Sequence, residues 1–194
     1  MDEKSIRVLT WMTVGVVGVS LVSIIIGALR TEPAPGEVAF KAAERAFADH
    51  NYARALDNYR KALGENPESV EAMRGKARSL LQKQRPAEAL EWFDRAIAEE
   101  PAFAGTYMNR GIAHDRLGDY TAALMDYEQA LSMDDSVADG PGWTTRLLHM
   151  NEAPPTVADR AAYLREQLQL PPEERLLSLP EEDTAQRSYR RRVD

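Results

Sequence analysis

The chain has 194 residues, a formal net charge of -7 and 44% hydrophobic residues, which suits one modest domain with an additional segment. The acidic balance argues against a nucleic-acid-binding protein, because neutralising phosphates requires a basic face. The absence of cysteine excludes disulfides, thiolate metal sites and cysteine nucleophiles.

The first feature along the chain is an uncharged stretch of 22 residues, Val8 to Leu29. As a helix it would extend about 33 Å, which suffices to cross a hydrocarbon core of about 30 Å. The sequence therefore predicts a transmembrane helix over 8–29 in a lipid bilayer, after a short flank at 1–7. A cleaved signal peptide is the alternative, but the apolar run exceeds the usual length of about 7 to 15 residues, and the flank begins with the acidic Asp2 and Glu3.

The orientation of this helix depends on the basic residues at its two ends. Lys4 and Arg7 lie on one side, and Arg30, Lys41 and Arg45 lie on the other, so the positive-inside bias is small. We expect the flank to be inside and the rest of the chain outside the cytoplasm. The abundance of arginine and alanine indicates a bacterial protein, single-pass in the inner membrane with its larger part in the periplasm. A mitochondrial outer membrane is the alternative.

After a proline-containing linker at 30–35, one pattern recurs three times with a spacing of 34 residues. It consists of an alanine, an aromatic residue four positions later, a second alanine three positions after that, and a proline in the first two copies. The positions are Ala55, Ala89 and Ala123; Tyr59, Phe93 and Tyr127; Ala62, Ala96 and Ala130; and Pro67, Pro101 and Asp135.

This order resembles the second helix of a tetratricopeptide repeat (TPR) and the stop after it. The resemblance implies an all-α fold, in which the transmembrane helix is followed by an α-solenoid of three helix pairs at 36–69, 70–103 and 104–137. In the second pair, Ser69 is a candidate cap for a helix running to about Gln84, and Pro86 begins the next helix.

Beyond the repeats, a solenoid requires a cap, because its last apolar face has no successor. The sequence predicts capping helices over 138–170, first a short one from Trp143 to Met150. A second begins at a Thr156–Asp159 capping box and ends at about Leu170. Its apolar stripe could instead meet a partner. The remaining residues, 171–194, are expected to form a disordered, solvated tail, with contact of its arginines to anionic lipid or an acidic partner as the alternative.

The family resemblance also implies a concave groove lined by the first helix of each repeat, which is the candidate partner-binding site. Apolar residues that flank two arginines at positions i and i+4 suit a peptide with apolar anchors and one or two carboxylates. An ordinary surface is the alternative, in which the arginines pair with Glu71 or other acidic neighbours. The groove residues would be Phe40, Glu44, Phe47, Arg74, Arg78, Leu81, Met108, Ile112 and Arg116.

Motifs that carry chemistry are not evident. The sequence has no glycine-rich phosphate loop, nucleophile elbow or zinc-type helix motif, so we expect no enzyme activity, cofactor, metal or small-molecule substrate. Members of the family that bind chaperone C-termini have lysines and asparagines where this chain has Phe40, Glu44 and Gly75, so that activity is not expected.

The resulting hypothesis is a non-enzymatic, membrane-anchored TPR adaptor that binds a protein partner and aids assembly or stability of a membrane-associated complex. The alternative is a stoichiometric structural subunit of such a complex, which would use its transmembrane helix and tail as permanent contacts.

Overall fold

The computed structural model describes Asp2 and residues 11–13, 15–21, 32–134 and 156–178. The chain forms two compact units, Met1–Ala34 and Pro35–Asp194. In the first unit, residues 11–13 and 15–21 are helical. No helix within the described residues is both long and apolar enough to cross a bilayer. The remaining parts of the predicted span 8–29 lie outside the described residues, as do Asp135, the predicted helix from Trp143 to Met150 and positions 179–194.

The second unit begins with six helices that form three consecutive pairs. Each helix packs against its partner in the pair and against the first helix of the next pair, which is the neighbour-to-neighbour contact of a solenoid. The first pair is α1 (Glu37–Ala48) and α2 (Tyr52–Glu65), the second is α3 (Val70–Gln82) and α4 (Pro86–Glu99), and the third is α5 (Ala104–Leu117) and α6 (Tyr120–Met133).

Local capping explains where several of these helices begin. The side chains of Asn51, Ser69 and Asp119 each accept a hydrogen bond from a backbone N–H in the first turn, at 3.2 to 3.3 Å. The cap predicted at Ser69 is therefore present. The helix that it begins ends at Gln82, two residues earlier than expected, because Gln84 has the left-handed φ of 57° and cannot continue an α-helix.

The core forms where the recurring aromatic residues meet small residues of neighbouring helices. Tyr59, Phe93 and Tyr127 are at most 1% exposed, and the alanines that accompany them are buried too. Gly75 lies so close to the Tyr59 ring that an added Cβ would be 2.3 Å from it. Small residues thus let successive helices approach closely, while the aromatic rings fill the space between them.

Helix α7 (Val157–Gln169) covers the end of the array and packs against α6. Its Ala161 and Leu164 are buried in the same apolar cluster as residues of the second and third pairs. Thr156 and Asp159 form the expected capping box, in which each side chain accepts a hydrogen bond from the backbone N–H of the other residue, at 3.1 and 2.8 Å.

The described part of the tail, residues 171–178, differs from the disordered segment that we expected. After a short 3-10 helix at Pro172–Glu174, the chain is bonded to α7. The Tyr163 hydroxyl donates to the carbonyl of Leu176 at 2.6 Å, the Leu176 N–H donates to Gln167 at 2.7 Å, and Arg175 donates to the carbonyl of Leu170 at 2.8 Å. Side chains of α7 and of the tail therefore satisfy backbone groups that water would otherwise solvate.

Candidate partner-binding groove

The nine predicted groove residues lie on the first helices of the three pairs, α1, α3 and α5, but they differ in exposure. Five of them are partly exposed, and four are buried. The partly exposed side chains are Phe40, Glu44, Phe47, Arg74 and Arg116, and the buried ones are Arg78, Leu81, Met108 and Ile112.

The three buried apolar residues belong to the core of the described chain. Leu81, Met108 and Ile112 are at most 5% exposed, and they lie in one cluster with Ala161 and Leu164 of α7. Their role as groove residues remains a prediction, whereas their packing role is evident. Helical spacing alone did not reveal this packing role.

Arg74 joins the second pair to the third. Its guanidinium forms an ion pair with Glu100 and donates from Nε to the hydroxyl of Thr106 at 2.9 Å. It also stacks over the ring of Phe103, 4.1 Å from the ring centroid. The partner carboxylate is thus Glu100 at the end of α4, rather than Glu71, which the ordinary-surface interpretation named first.

Arg78 makes a similar connection between the first and second pairs. Its Nη2 lies 3.1 Å from Oε1 of Glu44, the residue at the same position of the preceding repeat. Glu44 also accepts a hydrogen bond from the hydroxyl of Tyr59, and the Arg78 guanidinium lies 4.9 Å from the centroid of the Phe47 ring. This carboxylate therefore holds a tyrosine and an arginine at the junction of two repeats.

The third pair contains a second arrangement of tyrosine, carboxylate and arginine, which the sequence analysis did not identify. Asp115 accepts two hydrogen bonds from Arg160 of α7, at 2.6 and 2.8 Å, and one from the Tyr127 hydroxyl at 3.1 Å. The Arg160 guanidinium also donates to the carbonyl of Leu177 at 2.9 Å. The only sequence signal was an arginine directly before Ala161, beside the apolar stripe of α7.

Arg116 is also used within the chain, because its Nη1 donates to the carbonyl of Leu81 at 2.7 Å, near the end of α3. Phe40 and Phe47 on α1 therefore form the part of the predicted groove that is best placed to meet a partner, and Glu44 between them is bonded to Tyr59 and Arg78. The Phe40 ring is 6.1 Å from the Tyr59 ring, and the Phe47 ring contacts Tyr52 edge-on at 5.3 Å. We call these three α1 residues the first-repeat face.

Groups suited to metal binding do not occur among the described residues, which contain no set of three His, Asp or Glu side chains arranged to hold an ion. Nδ1 of His50 lies 2.8 Å from the Tyr52 hydroxyl, and Nδ1 of His114 lies 3.5 Å from a carboxylate oxygen of Asp119. His149 lies outside the described residues.

Comparison with known families agrees with this geometry. Two models of the tetratricopeptide repeat match the chain, one over residues 40–105 and the other over 104–136. The chain carries tetratricopeptide repeats. Among curated proteins, the DnaJ homolog subfamily C member 7 homolog of Schizosaccharomyces pombe is 31% identical over 96 residues, which are 47% of this chain and 20% of that protein. The match to this TPR chain therefore spans about a fifth of that relative's length.

Solved TPR domains have the same fold. The first TPR of Spaghetti (RPAP3) bound to HSP90 peptide SRMEEVD has a TM-score of 0.58 and 17% identity, over 72% of this chain and 98% of that one. The TPR2B domain of yeast Sti1, in a complex with pHsp70, has a TM-score of 0.54 and 21% identity, over 69% of this chain and 98% of that one. At these identities the likeness shows the fold alone.

Proposed function

We propose that this chain is a non-enzymatic TPR adaptor that binds a segment of a partner protein along the first-repeat face. The observation that carries the proposal is the partial exposure of Phe40 and Phe47, two turns apart on α1, with the Glu44 carboxylate between them. Apolar side chains at this spacing fit the anchors of a peptide laid along a helix. The solved TPR domains bound to HSP90 and Hsp70 partners support a protein ligand in general terms.

The second part of the proposal is a membrane anchor at residues 8–29, single-pass in a bacterial inner membrane, with the repeats in the periplasm. It rests on the uncharged stretch of 22 residues and on composition. The linker at 30–35 is short, and Pro33 and Pro35 within it prevent a continuous helix. An adaptor of this kind holds its partner close to the bilayer and aids assembly or stability of a membrane-associated complex.

The structural-subunit alternative is favoured by one observation, the bonding of residues 171–178 to α7. A permanent subunit is expected to have an ordered tail, and Arg175 and Leu176 are hydrogen-bonded to Leu168 and Gln167 of α7. The same contacts also stabilise the cap of an adaptor, so the two functions must be separated by what each surface binds.

The experiment is to purify the full-length protein from its native membrane in mild detergent and to identify the proteins that accompany it. Phe40→Ser changes the first-repeat face. Val38→Ser is the matched control, because Val38 lies on the same helix and is 63% exposed outside that face. A third version ends after Leu170.

Partners lost with Phe40→Ser but kept with Val38→Ser would support the adaptor. A complex of fixed stoichiometry that survives Phe40→Ser and is lost on truncation would support the structural subunit. Circular dichroism on the same samples shows whether each variant retains its helices, and a protein purified without any companion would contradict both functions.

A further inference from the structure

A cationic cluster surrounds Trp92 where α2, α3 and α4 meet. The Lys76 ammonium lies 3.5 Å from the centroid of the Trp92 ring, and the Arg95 guanidinium carbon lies 4.3 Å from it. Burial lowers the pKa of Lys76, and the charges of Arg60 on α2 and of Arg95 lower it further, while the Glu88 carboxylate opposes them. We call Arg60, Lys76, Trp92 and Arg95 the Trp92 cluster.

The next junction of the array shows carboxylates at the equivalent positions. Thirty-four residues after Lys76, Arg110 lies between Asp94 and Asp126, which occupy the positions of Arg60 and Trp92. Arg110 donates two hydrogen bonds to Asp126, at 2.7 and 2.8 Å, and one to Asp94 at 2.7 Å. The bonds to Asp126 in particular raise the pKa of Arg110.

Lys76 in the Trp92 cluster therefore occupies the position of Arg110, but the two carboxylates that bind Arg110 have no equivalent there. A second cation, Arg60, stands in the place of one carboxylate, and an indole stands in the place of the other. The corresponding helices are in contact at both junctions, so the difference described here lies in the side chains, and the first junction has an excess of positive charge.

Acidic groups nearby compensate this charge only in part. Asp57 pairs with Arg60 at 2.9 Å, but both side chains are largely exposed, so the pair is weak. Both carboxylate oxygens of Glu88 are bonded to Arg85. Across the described part of the chain, Lys76 and Arg95 form no ion pair with a carboxylate.

We propose that the Trp92 cluster docks an acidic segment of a partner protein, whose carboxylates bind Lys76 and Arg95 as Asp94 and Asp126 bind Arg110. Arginine can hold such a carboxylate through two parallel hydrogen bonds, and a carboxylate also neutralises the charge that faces Trp92. The cluster shares no residue with the first-repeat face and goes beyond the proposed groove. The net charge of the chain is -7, so attraction depends on this local patch rather than on the whole molecule.

The test measures binding of an N-acetylated hexa-aspartate peptide to the full-length protein in mild detergent, by calorimetry at low salt, with hexa-serine as the neutral peptide. In the double variant Lys76→Gln/Arg95→Gln we expect the affinity to fall roughly tenfold or more. The double variant Arg45→Gln/Lys83→Gln removes the same charge from exposed positions on other parts of the array, and its affinity should stay within about twofold of the parent.

A third variant, Arg60→Asp, supplies an internal carboxylate at the position of Asp94. We expect it to weaken hexa-aspartate binding and to raise the midpoint of thermal unfolding, because Lys76 then gains a partner within the chain. Arg60→Asp therefore tests the proposed acidic-segment site even if the Lys76→Gln/Arg95→Gln variant is poorly folded. Phe40→Ser should leave hexa-aspartate binding unchanged, which separates this site from the first-repeat face.

Two results would overturn the proposal. Equal losses in the two double variants would show diffuse electrostatic attraction rather than a site. Absence of peptide binding, together with Lys76- and Arg95-dependent binding to vesicles of phosphatidylserine and phosphatidylcholine, would assign the cluster to a membrane surface instead of a protein.

Discussion

Arg160 and Asp115 form a bidentate ion pair that is 3% and 2% exposed at its side chains and fixes α7 onto the third pair of helices. The two residues are 45 positions apart, so the contact crosses from the cap into the repeat array. Tyr127 adds a third hydrogen bond to the same carboxylate. Arg78, Glu44 and Tyr59 repeat this combination at the junction of the first two pairs.

The first prediction concerns the strength of this connection. Arg160→Met leaves a buried carboxylate without its cationic partner and should lower the free energy of unfolding by about 3 to 5 kcal/mol. The matched control is Arg165→Met on the same helix. Its pair with Glu128 is 51% and 45% exposed, so its loss should cost less than about 1 kcal/mol. Both losses can be measured by urea unfolding of the full-length protein in mild detergent, with circular dichroism as the signal.

A second version of this experiment separates the ion pair from simple loss of packing. Asp115→Leu/Arg160→Met removes both charges together and should recover most of the stability that Arg160→Met loses, because no uncompensated charge remains buried. If the double variant is no more stable than the single one, the ion pair is not the reason for the loss.

The second prediction concerns the close approach of α3 to Tyr59. In Gly75→Ala the added methyl group would lie 2.3 Å from the ring, which is fully buried and held by Glu44. Because the ring cannot move without breaking that hydrogen bond, we expect a loss of about 1 to 3 kcal/mol. Gly64→Ala is the control: an added Cβ meets no atom within 4 Å there, so this helical substitution should stabilise by about 0.5 to 1 kcal/mol.

Local repetition explains which features could be read from the sequence. Ala55, Ala89 and Ala123 are buried alike because the second helix of each repeat has the same spacing of small and aromatic residues and packs in the same way. The arginines of the predicted groove could not be placed in this way. The partners of Arg74 and Arg78 lie 26 to 34 residues away, at the end of the same repeat or in a neighbouring one, and several acids were equally plausible from spacing alone.

The cap could be predicted as a helix with its capping box, but its contacts could not. Burial of Met108 and Ile112 involves a cluster completed by residues of α7, which follow the periodic region. The 34-residue period does not predict the contacts of a helix that does not repeat. Buried residues at the end of the array were therefore predicted to line the groove.

The third prediction uses the turn between the two helices of each pair. His50, Gln84 and Gly118 occupy equivalent positions, and all have a left-handed backbone with φ of 57°, 57° and 79°. A Cβ is unfavourable in this conformation, so Gln84→Gly should raise the free energy of unfolding by about 1 kcal/mol. Gln84→Ala, which keeps the Cβ, should give no comparable gain, and Gly118→Ala should be destabilising. Thermal unfolding of the three variants side by side shows whether each substitution stabilises or destabilises the fold.

The fourth prediction concerns the stability of the fold at low pH. Hydrogen bonds from the Thr156 N–H and then from its hydroxyl lower the pKa of Asp159 below its ordinary value of 3.8. A carboxyl group whose pKa is lowered by folding stabilises the fold above its unfolded pKa, and the contribution is lost as the pH falls through the folded value. Asp159→Ala should therefore be less stable than the parent at pH 7. The difference should shrink below about pH 4, and a difference independent of pH would contradict the charge-based explanation.

The last prediction concerns the proposed orientation in the membrane. Ser188→Cys introduces the only thiol of a chain that has no cysteine, so a maleimide can report on one defined position. If the flank at 1–7 is in the cytoplasm and the remaining chain is outside, a membrane-impermeant maleimide should label this thiol in intact cells once the outer membrane is permeabilised. Ser5→Cys is the matched control on the flank, and it should react only after lysis. Labelling of Ser5→Cys in intact cells, with Ser188→Cys protected until lysis, would reverse the orientation. Labelling at both positions without lysis would contradict a single membrane crossing between them.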